Sequence, residues 1–312
     1  MPVRSEQRLT GSLDANGNSP GRFLPAAWGV CIWALAVGVL LSGNLSRAEA
    51  TADGVFDWSA DWDGFGGFSA IVVTDGGAGF VALSDRALLV TGQFTRDAGR
   101  ITGVTLTDRA PLLDQAGNAM SRRRGDSEGL ALAPDGTLFI SFEGVPRIRQ
   151  QSGLYGYPAL LPGHEDFGRM TANEALEALA IAPDGALFAI PEQTLTGEGP
   201  FPVYRFRNGT WSIPLFIPRA GPFLVSGADI GPDGRLYVLE RMFAGFGFRS
   251  RVRRFALDGS GEVTVLETGT GDLGNMEGIS VWQDGGGLRM TLISDDNFSF
   301  LLQTQIAEFR LD

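Results

Sequence analysis

The segment DSEGLALAPDGTLFI, residues 126–140, decides the fold. Two runs rich in alternating apolar residues flank Pro134-Asp135-Gly136. Proline stops the first run, and Asp-Gly makes a tight turn whose two residues are expected at positive φ. The same unit recurs as ALEALAIAPDGALFAI (175–190), LVSGADIGPDGRLYVL (224–239) and NMEGISVWQDGGGLRMTLIS (275–294). A weaker copy, GFSAIVVTDGGAGFVALS, occupies residues 67–84. A single hairpin cannot bury both of its faces, whereas hairpins stacked side by side can.

The position of Glu128 has equivalents at Ser69, Glu177, Ser226 and Glu277, so the steps along the chain are 59, 49, 49 and 51 residues. A period near 50 residues made of short strands is the pattern of a β-propeller. A β-sandwich would not repeat in this way. The expected fold is therefore all-β, a five-bladed propeller spanning residues 51–312, with a degenerate sixth blade in the long first step as the alternative count. Each unit has room for two outer strands, such as Val203–Phe206 with Trp211–Phe216 and Arg251–Ala256 with Val263–Leu266. Ile306–Leu311 is expected to pair with Val55–Trp58 and seal the ring.

Composition narrows the function. The 312 residues carry 25 basic groups, all Arg, and 36 acidic ones. They hold 44 Gly, about twice the usual share, which suits a turn-rich β protein. Without residues 1–50 the net charge is −12, which argues against binding a nucleic-acid backbone. One Cys excludes a disulfide framework and a Cys-rich zinc module, and one His excludes sites needing two imidazoles.

Residues 26–41, AAWGVCIWALAVGVLL, are the long apolar run. They follow Arg22 and lead to Ala48-Glu49-Ala50, a small-x-small site. This reads as a secretory signal over residues 1–50, cleaved after Ala50, with a retained membrane anchor as the alternative. The mature chain is then expected in the periplasm or outside the cell, without stable membrane insertion. Cys31 would leave with the signal. The oligomeric state is not read from the sequence.

In a propeller the first strand of each blade lines the central channel. Its start lies on the same face as the end of the second strand. Strand-one starts carry Ser69, Glu128, Glu177, Ser226 and Glu277. Strand-two ends carry Asp85, Glu143, Glu192, Glu240 and Asp295 with Asp296, at separations of 16, 15, 15, 14 and 18 residues. Asp126, Asn173, Asn275 and Asn297 flank these positions, and Arg86 and Arg241 stand beside two of the acids. So many carboxylates around one hole require Arg pairing or a hard cation such as Ca²⁺ or Mg²⁺.

No G-x-S-x-G elbow and no glycine-rich phosphate loop is present. His164 reads as a surface loop residue. The FAGFGF stretch, Phe243–Phe248, reads as an aromatic loop that either covers a site or packs under a blade.

Gly66-Gly67-Phe68-Ser69 with Ser84-Asp85-Arg86 resembles the opening of the bacterial "esterase-like activity of phytase" family. Asp126-Ser-Glu-Gly-Leu, Asn173-Glu-Ala-Leu-Glu-Ala, Asn275-Met-Glu-Gly-Ile and Ile293-Ser-Asp-Asp-Asn-Phe298 resemble its later motifs, in the same order, over residues 60 to 312. Ala175 and Ala178 stand where the family has glycines, and no Lys is available for phosphate.

The resemblance implies an exported propeller allied to alkaline phytases that use Ca²⁺. It implies a Ca²⁺-dependent ester or phosphoester hydrolase with a small anionic or ester substrate and no organic cofactor. Glu128, Glu177 and Glu277 would be the inner metal ligands. Asp85, Asp295 and Asp296 would be outer ligands or base. Arg86 and Arg241 would hold the anionic group, with Arg147 and Arg149 as further candidates. Two other functions fit the same pattern: a non-catalytic periplasmic ligand-binding propeller, and a sugar-lactonase-like hydrolase.

Overall fold

The computed structural model describes residues 50–121, 124–171, 174–299 and 302–312. The signal, anchor and Cys31 readings fall on residues outside these, as does Asn173. Among the described residues no helix is long and apolar enough to cross a membrane.

Twenty strands form five four-stranded antiparallel sheets, which are five propeller blades; the six-blade alternative is not realised. Blade 1 is β2 (Phe68–Thr74), β3 (Gly79–Ser84), β4 (Leu88–Asp97) and β5 (Arg100–Pro111). Blade 2 is β6 (Ser127–Leu132), β7 (Thr137–Phe142), β8 (Arg147–Ser152) and β9 (Ala159–Leu160). Blade 3 is β10 (Leu176–Ile181), β11 (Leu187–Pro191), β12 (Phe201–Arg207) and β13 (Thr210–Ile217). Blade 4 is β14 (Leu224–Ile230), β15 (Leu236–Phe243), β16 (Phe248–Phe255) and β17 (Val263–Glu267). Blade 5 is β18 (Asn275–Asp284), β19 (Gly287–Asp295), β20 (Thr304–Leu311) and, as its outermost strand, β1 (Ala50–Trp58).

The ring closes where expected, with Val55 opposite Ala307 and Trp58 opposite Thr304. Side chains lock this joint. Arg96 of blade 1 donates twice to Glu308 of β20, at 2.6 and 2.8 Å, and buried Arg289 reaches Asp53 of β1 at 2.8 Å.

The hydrophobic core is divided into five clusters, one at each seam between neighbouring blades. Blades 1 and 2 meet through Leu83 and Leu89 against Leu130 and Phe142, and blades 5 and 1 through Trp58 and Ile306 against Phe68 and Phe80. This is the stacking a lone hairpin lacks. It explains why both faces of most inner strands are apolar.

The turns differ from expectation in one respect. In the Pro-Asp-Gly copies only Gly136, Gly185 and Gly234 have positive φ. The amide of Gly136 donates to Ala133 O and that of Ala133 to Thr137 O, which is a type I turn closed by a left-handed glycine. Proline at the second position favours that turn. Only the blade 1 turn has Asp and Gly, Asp75 and Gly76, both at positive φ.

A bulge sits at the start of every inner strand, at Ser69, Glu128–Gly129, Glu177, Ser226 and Glu277. The next residue then abuts the neighbouring inner strand. A Cβ on Gly227 would lie 2.5 Å from Glu277 O, and one on Gly278 would lie 2.8 Å from Ala70 Cα. Positions 70 and 178 hold alanine, so only some seams need glycine. Gly227→Ala is expected to cost about 1–3 kcal/mol by overpacking, read as a lower urea midpoint with an unchanged m-value.

Candidate active site

The bulges turn the strand-one side chains inward at one end of the channel. Glu128, Glu177 and Glu277 therefore converge, each offering an oxygen within 4.8 Å of the others. Around them, at or beside the end of the second strand of each blade, stand Asp85, Glu143, Glu192, Arg241 and Asp295. With Asp126 these residues line a cavity of about 230 Å³. Beneath it, between Leu130, Leu179 and Ile279, a space of only about 10 Å³ remains.

The register corrects the expected ring at blade 4. Val225 pairs with Glu240 and Leu224 with Arg241. Arg241, 15 residues after Ser226, is thus the counterpart of Glu143 and Glu192. Neighbouring residues of a strand face opposite ways. Glu240 therefore points into the blade, fully buried, where Arg251 Nε donates to it at 2.7 Å and Arg253 Nε at 2.9 Å. The constant spacing of 15 in blades 2 and 3 was the available signal.

The cavity is divided chemically. On the blade 4–5 side Arg241 lies 3.2 Å from Glu192 and 3.2 Å from Glu277, and its Nη1 donates to Asn275. Asn275 in turn donates to Glu277 at 2.6 Å. On the blade 2–3 side, Glu128 and Glu177 are 7% and 6% exposed. No backbone amide, hydroxyl or guanidinium among the described residues hydrogen-bonds either carboxyl; Glu128 pairs with Asp126 and Glu177 with Glu143, carboxyl to carboxyl, and the charge of Arg241 acts on both. Two further oxygen clusters lie on this side: Asp126, Glu128 and Glu143, and Glu143, Glu177 and Glu192.

Among the other expected residues, Asp296 is not brought to the cavity wall. Its Oδ1 accepts from the amides of Gly67 and Phe298, both at 3.0 Å, tying blade 5 to the loop before β2. Arg86 stands beside Asp85 with its guanidinium over the Phe298 ring, outside the wall. Arg147 and Arg149 are not at the site. Arg147 donates to the carbonyls of Val145 and Arg124, and Arg149 to Leu113 O at 2.7 Å. His164 packs against Tyr204 with ring centres 5.0 Å apart, away from the cavity. Glu143, Glu192 and Asp126 join the wall with the predicted acids.

Burial raises these carboxyl pKa values, helped by neighbouring negative charge. Glu128 and Glu177 are pushed well above the usual range. Asp295 rises to about 8 and Glu192 to about 7, the latter restrained by Arg241. Asp85 rises only to about 6, held down by Arg86 and the Ser84 hydroxyl. Asp126 and Glu143 are raised as well.

Groups raised on folding bind protons more tightly in the native state. Their stabilisation is complete below the ordinary carboxylate range and is lost as pH climbs through the native values. Metal-free protein is therefore expected to lose at least about 10 °C of Tm between pH 5 and pH 8, since each pH unit between a group's ordinary and native pKa costs about 1.4 kcal/mol. A thermal scan at both pH values, with chelator, checks this.

The donor set fits a hard divalent cation. Glu128, Glu177 and Glu277 each offer a carboxylate oxygen within 4.8 Å of the others, and such all-oxygen ligation suits Ca²⁺.

None of the curated proteins is similar to the chain in sequence. Solved structures that resemble it include the WD40 repeats of RRP9, with 8% identity, TM-score 0.49, and coverage of 85% of this chain and 100% of that one. A protein assigned as a gluconolactonase shares 13% identity at TM-score 0.43, over 86% of this chain and 94% of that one. Virginiamycin B lyase from Staphylococcus aureus shares 14% identity at TM-score 0.40, over 84% and 74%. The family model described as phytase-like, esterase-like activity of phytase, matches residues 63–298. The chain accordingly belongs to that phytase-like family.

Proposed function

We propose that this propeller hydrolyses a small ester or phosphoester in a Ca²⁺-dependent reaction at the acidic end of its channel. The observation that carries the reading is the convergence of Glu128, Glu177 and Glu277 at one end of the channel, with Arg241 ion-paired at its edge.

Glu128, Glu177 and Glu277 would hold the cation, with Asp126, Glu143 and Glu192 in reach of the same half. A bound divalent cation supplies Lewis acidity, polarising the ester oxygen and lowering the pKa of a water. Arg241 orients the anionic group by forked hydrogen bonds. Asp85 and Asp295, on adjacent blades, have pKa values pushed apart to about 6 and about 8. Near pH 7 Asp85 is ionised and accepts a proton from water, while Asp295 is protonated and donates to the leaving oxygen. Arg86 is a positioning residue that keeps Asp85 charged. Asp296 holds the loops on either side of the Asp85 and Asp295 connections.

The test is a pH–rate profile on an aryl ester and an aryl phosphate with calcium present. A bell is expected, with the bound cation moving both limbs below the metal-free values of Asp85 and Asp295. Asp85→Asn should remove the acid limb and Asp295→Asn the basic limb, each costing about 10²–10⁴ in rate. Ligand-induced stabilisation with no turnover of any ester would favour a binding protein instead.

A further inference from the structure

The five connections that leave the cavity wall, one per blade, form the rim of its mouth. Four of the nine exposed large apolar side chains among the described residues stand there. Val145 lies two residues beyond Glu143, Leu195 three beyond Glu192, and Phe243 and Phe246 two and five beyond Arg241. In blade 5 Phe298 lies three beyond Asp295 under the Arg86 guanidinium.

The blade 4 member is a built projection. Strands β15 and β16 stay paired up to Phe243 and Phe248, and the amide of Ala244 donates to Gly247 O at 2.8 Å to close the tip. Phe243 and Phe248 meet ring to ring at 5.3 Å. Phe246 at the tip is 87% exposed and Phe243 62% exposed. Neither is needed by the core, and the turn could be made from polar residues. The FAGFGF stretch is therefore neither packed under a blade nor folded down over the cavity.

We infer that the substrate is amphiphilic: an ester or phosphoester head on the acidic floor, carrying an alkyl or aryl body that lies against Phe243, Phe246, Leu195 and Val145. This rests on the hydrolase reading of the floor and adds the class of molecule it takes. The occupant follows from continuity, because each of these residues lies within five positions of a wall residue along the chain. A head group bound at the floor must pass its remaining atoms through this rim. Each methylene buried there is worth about fourfold in affinity. A polyphosphorylated sugar would gain nothing from these side chains.

The probes are methyl, butyl, hexyl and octyl phosphate titrated into the calcium-loaded full chain by calorimetry, below micelle concentrations. Affinity is expected to climb about fourfold per carbon over the first few carbons. Phe246→Ser should flatten the climb at least tenfold at octyl phosphate and leave methyl phosphate unchanged. Equal affinity for methyl and octyl phosphate, or a climb indifferent to Phe246→Ser, overturns the inference. So does self-association that Phe246→Ser abolishes, since the rim would then serve a second copy.

The series repeated with alkylammonium ions on metal-free protein examines the rim without calcium. A climb there, with no calcium binding, sinks the floor reading alone. Flat series in both forms, with calcium bound, sink the rim alone.

Discussion

Glu240→Ala is expected to lower the free energy of unfolding by about 3–5 kcal/mol. Glu240 is fully buried between Arg251 and Arg253, which are themselves 7% and 1% exposed. Truncation leaves two guanidiniums in the blade. Arg253 would keep Glu262 at 2.8 Å and the Pro218 carbonyl at 2.9 Å, and Arg251 only the Ala220 carbonyl. Burying a charge after removing its partner is far costlier than never having the pair. Urea unfolding followed by tryptophan fluorescence reads the loss. Glu240→Gln should cost less, since it keeps an acceptor for the arginines. The sign matters most. A carboxylate in the cavity ring would be relieved, not missed, on substitution, so a neutral or stabilised Glu240→Ala would contradict the register of blade 4.

Glu177→Gln is expected to act in opposite directions in two assays. Glu177 shares its corner with Glu128, Glu143 and Glu192, and burial and their charge push its pKa well above the usual range. Replacing it by a neutral isostere removes one of these repelling charges. Metal-free protein at pH 8 should therefore gain about 1–2 kcal/mol of stability, or roughly 2–6 °C in Tm. Calcium affinity should fall by about 100-fold or more, beyond what loss of an outer-sphere partner usually costs. The two results together identify a group kept for binding at the expense of folding. A loss of stability in the metal-free variant would instead mark Glu177 as structural.

The propeller was legible because its instructions are local and repeated. Pro-Asp-Gly between apolar runs fixes each hairpin, and a period near 50 residues fixes how many hairpins stack. Even the closing pair, Val55–Trp58 with Ile306–Leu311, follows from strands that would otherwise lack partners. The inner acids were legible because they recur at one position of that repeat.

What escaped was register. A shift of one residue turns a side chain to the opposite face, and nothing local distinguishes Glu240-Arg241 from the Asp85-Arg86 pair. In blade 1 the acid faces the cavity; in blade 4 the arginine does. The inner-strand bulges have no strong sequence mark either, since Ser-Gly, Glu-Gly, Glu-Ala and Ser-Ala all occupy them. Asp295 and Asp296 show the same limit. Adjacent and alike in sequence, one lines the cavity and the other accepts backbone amides. The turns of blades 2 to 4 needed only one left-handed residue because proline precedes the Asp-Gly pair.

The central claim is that carboxylates distant along the chain meet at one end of the ring and are completed by a cation. Calorimetric titration of the full protein with Ca²⁺ at pH 7, in buffers of different ionisation enthalpy, tests it most directly. Glu128 and Glu177 hold protons well above the usual carboxylate range and must release them to a metal. Saturable binding is expected, with net proton release and heats that differ between buffers in proportion to it. Absence of binding, or binding whose heat is the same in every buffer, would contradict the account.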